Sequence, residues 1–445
     1  MQIAADRPHW RPAIERISRA ELSQMQAGRL RSQVERALAS PFYRRLWQGV
    51  GPLAPADFRT PADVARLPFL HKSDLVDAQL REPPLGDLPM SPAEERREVY
   101  PVPVLGGSLY TVYGEPDLAR TAEIGARIMW GVGLRPGELI HNAFGYGLFA
   151  GGISWHRASR AMGAALIPIG TDSVKRQVEM LFNFKPSLLI GAPSHCLYLA
   201  ERIQERGLSP RDIGLRFALF GGEPGAGERA TRQRLEHLYG CPAFDFYGIT
   251  EVGPLLAGEC RLQQGLHWAE DHVLVEVVNP ATLEPCAEGE TGMLVLTDLT
   301  REDMPLIRYW TGDMAALVAE PCGCGRTHAR SPGGVRGRID ELVMIRGVKF
   351  YPVQVERVLS GYGSLADEYR IVLERDPATW LDRCTVLVEA APGELPSAAL
   401  EERIGRRLSD ELTVDVLVRI LPFGTLERSP RRVRIVDRRL EAGNP

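Results

Sequence analysis

The segment Phe246-Tyr-Gly-Ile-Thr-Glu-Val-Gly-Pro254 lies where the sequence pattern of this chain changes. Upstream of it, from about residue 118, helix-like segments alternate with short apolar runs such as 188–191. That alternation is typical of an α/β domain with a largely parallel sheet. Downstream, from about residue 256, apolar runs are separated by turn residues, which indicates antiparallel strands. We therefore predict a large N-terminal α/β domain that carries a β-rich appendage at about 256–335.

A third pattern begins near Asp340. Short strands and two helices follow it and form a compact α+β unit of about a hundred residues, which is an ordinary domain size. We predict domains at 1–339 and 340–445, the second being a small mobile lid. Asp340 is the hinge candidate, because hinges occupy the few element-terminal positions that absorb a backbone rotation.

The composition is that of an ordinary globular chain. Of its 445 residues 44% are hydrophobic and 25% are charged, and the formal net charge of −4 predicts no general attraction to nucleic acid or to an anionic membrane. The N-terminus lacks the apolar stretch of a secretory signal, and no segment approaches the ~20 apolar residues that span a bilayer. The seven cysteines are scattered and do not form a disulfide framework. We expect a cytoplasmic protein.

Two segments carry side chains suited to a nucleotide. Within 246–254, the ring of Tyr247 can stack on a base and Glu251 offers oxygen ligands to Mg²⁺. A turn that closes a strand accounts for the same residues equally well. Within Pro305-Leu-Ile-Arg-Tyr-Trp-Thr-Gly-Asp313, the carboxylate of Asp313 suits the vicinal hydroxyls of a ribose. An aspartate in a β-turn without a ligand is the alternative there.

Three segments, 246–254, 305–313 and 337–352, are together more specific than any one of them. In their order and spacing the chain resembles the adenylate-forming superfamily of acyl- and aryl-CoA synthetases, and within it the phenylacetate–CoA ligase family. The resemblance runs over nearly the whole chain. It includes LPFLHKSDL at 67–75, GYGLFAGGISWH at 145–156, Gly222-Glu223-Pro224 and LHWAEDH at 266–272.

The resemblance implies a reaction and the residues that carry it. In this family a carboxylate attacks the α-phosphate of ATP and pyrophosphate leaves; the lid then rotates about its hinge and the CoA thiol attacks the acyl adenylate. The implied catalytic residues are Glu251, as the Mg²⁺-associated carboxylate, and Arg431, at the place of a lysine in the lid. A homodimer is also implied. The implied nucleotide-binding positions are Tyr247, Gly248, Thr250, Gly222, Glu223, Asp313, Arg338, Gly347 and Lys349.

An acyl pocket is expected where aromatic residues alternate with glycines after residue 143. Such a pattern leaves room for a flat ring and offers aromatic faces against which it packs. From the residues alone, a core aromatic cluster beside a glycine-rich turn is an equal alternative. The candidate pocket residues are Phe144, Gly145, Tyr146, Gly147, Phe149, Pro193, Ser194 and His195.

Cys260, His267, Cys322 and Cys324 form a second constellation. The glycines around Cys322 and Cys324 let both sulfurs face inward, and four nitrogen and sulfur ligands suit tetrahedral Zn²⁺. His328 is the alternative nitrogen ligand, and free thiols are the alternative to a metal. A zinc ion here would be structural, because four protein ligands leave no open position for catalysis; some proteins that resemble the family carry one.

The phosphate-binding parts depart from the family pattern. Family members carry a Ser/Thr/Gly-rich loop that ends in Gly-Lys-Pro and wraps the phosphates with amides, hydroxyls and a lysine. Here the segment reads Pro101-Val-Pro-Val-Leu-Gly-Gly-Ser-Leu109, with Gly107 at the place of the lysine. Its two prolines lack amide donors. In the lid, arginine replaces lysine at Arg431, or at Arg432 if the alignment shifts by one, and the two side chains are not interchangeable.

Three functions therefore remain open from the sequence. The enzyme activates an aromatic acid with ATP and passes it to CoA or another acceptor. Alternatively it has lost ATP-dependent activation and acts on a preformed aryl-adenylate or aryl-CoA by transfer, condensation or hydrolysis. In the third possibility it is a non-catalytic binding subunit. The side chains at Tyr247, Thr250, Glu251, Asp313 and Arg338 favour nucleotide binding of some kind.

Overall fold

The structure is a computed structural model that describes residues 7–104, 107–171, 173–223, 225–339, 343–345, 348–375, 382–427 and 434–438. The chain forms two compact units, Met1–Val335 and Arg336–Pro445. The helices of the first unit are α1 (Pro12–Glu15), α2 (Arg19–Ala39), α3 (Pro41–Leu46), α4 (Lys72–Arg81), α5 (Glu115–Val132), α6 (Ala150–Met162), α7 (Val174–Phe184), α8 (Pro193–Gln204) and α9 (Arg229–Tyr239).

The strands of the first unit follow the same chain order. They are β1 (Arg96–Val104), β2 (Gly107–Gly114), β3 (Leu139–Asn142), β4 (Ala165–Ile167), β5 (Leu188–Gly191), β6 (Phe217–Phe220), β7 (Ala243–Ile249), β8 (Gly253–Gly258), β9 (Leu266–Trp268), β10 (Val273–Val278), β11 (Gly292–Asp298), β12 (Tyr309–Ala315) and β13 (Arg330–Ser331). A further strand, β14 (Val335–Arg338), contains the boundary between the units.

A mixed sheet in the order β13-β9-β8-β7-β6-β5-β3-β4 forms the centre of the first unit. Strands β4, β3, β5, β6 and β7 run parallel. The residues of β5 are all buried and face alternately to two cores: Leu188 and Ile190 pack towards α5 and α6, and Leu189 packs towards α7, α8 and α9. Helices therefore cover both faces, as parallel strands require. The predicted α/β class is confirmed.

The carboxyl ends of the parallel strands lie at one edge of this sheet, which is where ligands bind in open α/β sheets. The segments that follow β3, β5 and β6 are those in which the acyl-pocket residues and Gly222-Glu223 occur, and β7 ends in the Tyr247–Glu251 region. The topology thus brings segments distant in sequence to one place.

The β-rich region expected at about 256–335 contributes strands to two sheets. Strands β8, β9 and β13 do not leave the main sheet; they continue it by antiparallel pairing beyond β7. The turn between Ile249 and Gly253 is short enough to return β8 directly along β7, which satisfies the backbone groups of both strands within the main sheet. A separate antiparallel sheet is formed by β10, β11 and β12.

Of the segment 101–109, expected to be a loop, residues 101–104 and 107–109 belong to two paired antiparallel strands. Strands β1 and β2 pair from Arg96 and Gly114 to Val104 and Gly107. Gly107 and Ser108 are therefore held at the start of β2, paired with the last residues of β1.

The second unit has its own core and an α+β fold. Its elements are β15 (Val343–Ile345), β16 (Val348–Phe350), α10 (Pro352–Leu359), β17 (Leu365–Arg375), β18 (Asp382–Ala390), α11 (Ala398–Leu412), β19 (Val416–Leu421) and β20 (Ile435–Asp437). A mixed sheet in the order β19-β18-β17-β20 packs its apolar face against the helices, with Ile371, Val386 and Ile404 fully buried. The predicted small α+β unit is confirmed. Within the described residues of both units, no helix combines the length and the apolar character needed to traverse a bilayer.

Candidate active site and metal centre

Tyr247 and Asp313 meet in the structure. The Tyr247 hydroxyl donates to Asp313 Oδ2 at 2.6 Å, and both residues are buried. This bond joins the end of β7 to β12. The neighbouring Gly248 is required by packing, because a Cβ there would lie 2.1 Å from the carbonyl oxygen of Pro254. Tyr247, which was assigned to the base of the nucleotide, and Asp313, which was assigned to its ribose, are therefore adjacent.

Glu251 lies beside the ammonium group of Lys72, a residue that was not among the candidates identified from the sequence. Lys72 Nζ, in the first turn of α4, is 2.7 Å from Glu251 Oε1, and the Tyr309 hydroxyl donates to the same oxygen at 3.2 Å. The Glu251 side chain is 8% exposed and that of Lys72 is 33% exposed, so the ammonium group remains accessible. Lys72 lies within LPFLHKSDL, a segment already part of the resemblance.

Arg301 anchors the backbone around Glu251 and was also missed. Its guanidinium is fully buried and donates to the Glu251 carbonyl, to Thr111 Oγ1 at 2.6 Å and to the Val112 carbonyl at 2.8 Å. The ring of Tyr113 lies beneath the same guanidinium, at 4.4 Å, and the Tyr113 hydroxyl donates to the Thr250 carbonyl. Strand β2 and the Thr250–Glu251 turn are thus bound to each other.

The first residues of β2 are open to solvent. Gly107 and Ser108 are exposed, and a Cβ at Gly107 would meet no heavy atom within 4 Å. No lysine belongs to the described part of β1 and β2. The charge expected in the loop is thus absent from its described part, while Lys72 provides one beside Glu251.

The candidate acyl-pocket residues adjoin the nucleotide positions. A Cβ at Gly222 would lie 3.2 Å from Phe144 Cε1, and the left-handed φ of 82° at Gly222 independently favours glycine. The Ser194 amide donates to Glu223 Oε1 at 2.6 Å. These contacts tie together the segments that follow β3, β5 and β6.

The pocket residues differ in burial. Phe149 is 67% exposed, which excludes it from a core aromatic cluster. Phe144 packs edge-to-face on Phe246, with ring centroids 5.7 Å apart. His195 Nε2 lies 3.2 Å from Gln177 Oε1, and burial lowers the pKa of His195, which favours its neutral form. Gly147 adopts a left-handed φ of 43° in the intervening turn.

Several predicted positions are not covered by the described residues. Asp340, Gly347 and Arg431 lie outside them, and so does Pro224. Lys349 belongs to β16 and Arg338 ends β14, but the side chain of Lys349 is not among those described. The hinge and lid assignments therefore stay predictions.

Cys260, His267, Cys322 and Cys324 come together from three places in the chain. Their ligand atoms all lie within 4.8 Å of one another. Cys260 Sγ is 3.8 Å from Cys322 Sγ, and Cys324 Sγ is 3.7 Å from His267 Nε2. A tetrahedral zinc ion with ordinary bond lengths separates two sulfurs by about 3.8 Å and a sulfur from a nitrogen by about 3.6 Å. Two of the separations within this donor set therefore match those of a tetrahedral zinc site.

His267, and not His328, is the histidine whose ring nitrogen lies with the three sulfurs. His328 Nδ1 contacts the Trp268 carbonyl at 2.9 Å, so that nitrogen is engaged outside the cluster. A hydrogen bond from Cys260 lowers the pKa of the Cys324 thiol against the opposing effect of burial. A thiolate is the form that binds metal.

Comparison with known proteins matches both units. The family model of the AMP-binding enzyme matches residues 150–298, and that of the AMP-binding enzyme C-terminal domain matches residues 347–439. The chain is 38% identical to the phenylacetate-coenzyme A ligase of Thermus thermophilus, over 94% of this chain and 97% of that protein. The chain belongs to the phenylacetate–coenzyme A ligase family.

Two further comparisons agree with this membership. The phenylacetate-coenzyme A ligase of Aromatoleum evansii is 33% identical over 96% of each chain. Among solved structures, a 2-hydroxyisobutyryl-CoA ligase in the postadenylation state, in complex with 2-HIB-AMP, matches with a TM-score of 0.91 and 30% identity, over 98% of this chain and 94% of that one. As a member of the family the chain is an adenylate-forming enzyme, an acid–thiol ligase. These comparisons favour the first of the three functions and give no support to the other two.

Proposed function

We propose that this ligase activates an aromatic carboxylic acid as its adenylate and transfers the acyl group to CoA. The observation that carries the proposal is the ring contact of Phe144 with Phe246, the residue that precedes Tyr247, whose hydroxyl donates to Asp313. An acid bound against Phe144 and Tyr146 would lie next to a nucleotide held by Asp313. Phenylacetate is the acid named for the relatives, and CoA is the named acceptor.

The first half-reaction needs positioning and charge neutralisation rather than covalent help from the protein. The substrate carboxylate attacks the α-phosphorus of ATP, the bond to the bridging oxygen breaks, and pyrophosphate leaves with its electron pair. Asp313 would orient the ribose and Tyr247 would support the base. In the second half-reaction the CoA thiolate attacks the acyl carbon and AMP leaves.

Mg²⁺ fits the oxygen donors at Glu251. The carboxylate is buried at the sheet edge, and hard oxygen ligands are those that Mg²⁺ takes. When bound, the ion would neutralise phosphate charge. The ammonium group of Lys72, which contacts the same carboxylate, belongs to a side chain that is 33% exposed and would be accessible to a phosphate. We therefore propose that Lys72 contacts the phosphates and replaces the lysine that the 101–109 segment lacks.

Exchange of labelled pyrophosphate into ATP tests the proposal. A panel of benzoate, phenylacetate and hydroxy- or aminobenzoates should give exchange with at least one acid. No exchange at high enzyme concentration, together with tight binding of an aryl-AMP analogue, would instead favour action on a preformed intermediate. Failure to bind ATP or the analogue in calorimetry would favour the binding subunit. Arg431→Lys is a companion variant: a large gain in exchange would show that the missing lysine limits adenylation.

We propose that the cluster of Cys260, His267, Cys322 and Cys324 binds a structural zinc ion. The support is the match of two ligand separations to tetrahedral zinc. Metal analysis of purified protein should give one zinc per chain, and Cys322→Ser should reduce this content and the thermal midpoint. Cys286→Ser is the matched control, because Cys286 is a half-buried free thiol outside the cluster. Equal zinc content in both variants would refute the site.

We also propose a cytoplasmic homodimer. The cytoplasm keeps thiols reduced, and none of the seven cysteines forms a disulfide. Light scattering after gel filtration tests the dimer; a mass of one chain at micromolar concentration contradicts it.

A further inference from the structure

Asn142 ends strand β3 immediately before the candidate acyl pocket, and its side chain is fully buried. That side chain reaches three places in the segment that follows. Asn142 Oδ1 accepts from the Phe144 amide at 3.3 Å. Asn142 Nδ2 donates to the Gly152 carbonyl and to the Tyr146 hydroxyl, both at 2.9 Å. One residue thus joins the pocket segment to the first turn of α6.

The two backbone partners determine which way the Asn142 amide points. A backbone amide only donates, so it must face Oδ1, and a carbonyl only accepts, so it must face Nδ2. The second hydrogen on Nδ2 is then directed to Tyr146. The Tyr146 hydroxyl therefore accepts a hydrogen bond from Asn142, and its other protein partner is His156 Nδ1 at 3.3 Å.

This arrangement fixes the position of the Tyr146 ring. The His156 ring packs edge-on against it, with centroids 6.0 Å apart. The segment also lies close to α6, since a Cβ at Gly152 would be 2.3 Å from the Gly145 carbonyl. A half-buried tyrosine that is held at its hydroxyl and along its ring forms a rigid wall rather than an adaptable one.

We propose that Asn142 is a positioning residue for acyl specificity, acting by holding Tyr146 as a fixed wall of the acyl pocket. The inference rests on the proposed function, which assigns Tyr146 to that pocket. A fixed wall selects monocyclic aromatic acids of one size, because bulkier rings cannot displace it. Loss of the bond should weaken binding of the preferred acid and relax discrimination against larger ones.

A double-mutant cycle in pyrophosphate exchange tests this inference. Asn142→Leu, Tyr146→Phe and the double variant are assayed with the best acid of the panel and with its ring-substituted analogues. Each single variant should raise the KM for the acid about tenfold, the effect of one buried hydrogen bond, with the KM for ATP unchanged. The double variant should be no worse than the poorer single one, because the bond that Tyr146→Phe removes is already absent in Asn142→Leu.

Asn142→Asp is measured alongside, because it keeps the acceptor for the Phe144 amide and supplies an Asn142 variant if leucine prevents folding. Asn279→Leu is the control. Asn279 Oδ1 also accepts hydrogen bonds from backbone amides, those of Ala281 and Thr282, but Asn279 follows β10, outside the segments of the acyl pocket. Two results overturn the inference and leave the proposed function intact. One is a KM for the acid that rises in the double variant by the product of the two single effects; the other is an unchanged KM for the acid in Tyr146→Phe. A wild-type enzyme without exchange refutes the proposed function and the inference with it.

Discussion

Replacing Lys72 by glutamine should selectively impair the use of ATP. The Lys72 ammonium lies 2.7 Å from Oε1 of Glu251, the carboxylate proposed to hold the Mg²⁺ of the nucleotide, and under that proposal it would contact the phosphates. A hydrogen bond to a charged group contributes about 1.5–3 kcal/mol. Since tenfold corresponds to about 1.4 kcal/mol, kcat/KM for ATP should fall about 10- to 150-fold.

The assay is pyrophosphate exchange at varied ATP with the acid saturating. Arg81→Gln is the matched control, because Arg81 is an exposed cation in the last turn of the same helix. Its kcat/KM should remain within twofold of wild type. Equal losses in both variants would indicate a general electrostatic effect, and an unchanged kcat/KM for ATP in Lys72→Gln would refute the assignment of Lys72 to the phosphates.

Three further outcomes follow from described contacts. Asp313→Asn should raise the Kd for AMP in calorimetry about tenfold or more, since one charged acceptor for the ribose is lost; an unchanged Kd contradicts the ribose role. Gly248→Ala should lower the unfolding free energy by about 1–3 kcal/mol in urea titration, because the methyl group would meet the Pro254 carbonyl at 2.1 Å, whereas Gly49→Ala, in open space, should have little effect. Burial lowers the pKa of His141 to about 4 from 6.5, so the unfolded chain binds the proton more readily and stability is lost as pH falls from about 6.5 towards 4. His141 should lower the free energy of unfolding by about 2 kcal/mol between pH 7 and pH 5, and His141→Gln should remove this dependence. Identical pH profiles of stability for the wild type and the variant would contradict the prediction.

Local sequence patterns predicted the positions of the strands better than they predicted which strands pair with each other. The alternation of helix-like segments and short apolar runs before residue 246 indicated a parallel sheet. Parallel strands that are buried on both faces read as continuous apolar runs, as Leu188–Gly191 does. The β-rich region from about 256 divides between two sheets: β9 pairs with β8 in the main sheet, whereas β10, β11 and β12 pair with one another. Pairing partners depend on the path of the turn after Ile249, and a period-two pattern looks the same whichever strand lies beside it.

The candidate site was predicted where chemistry is concentrated in a short motif. Cys-x-Cys at 322–324 restricts two ligands locally, and the four predicted zinc ligands do meet. Lys72 and Arg301 were missed because each acts on Glu251 from a distant segment and neither belongs to a local cluster. The missing lysine of the 101–109 segment was a usable signal, since a phosphate site without a cation in its loop must obtain one from another element.

The three hydrogen bonds that the Arg301 guanidinium donates restrict which substitutions this ligase tolerates at position 301. A lysine at 301 has three donors on a flexible stem and cannot reproduce a planar guanidinium that reaches Thr111, Val112 and the Glu251 carbonyl at once. Exposed positions at the start of β2, such as Gly107 and Ser108, carry no comparable constraint. In a saturation-mutagenesis screen for ligase activity, position 301 should therefore be among the least permissive, while the start of β2 accepts many residues.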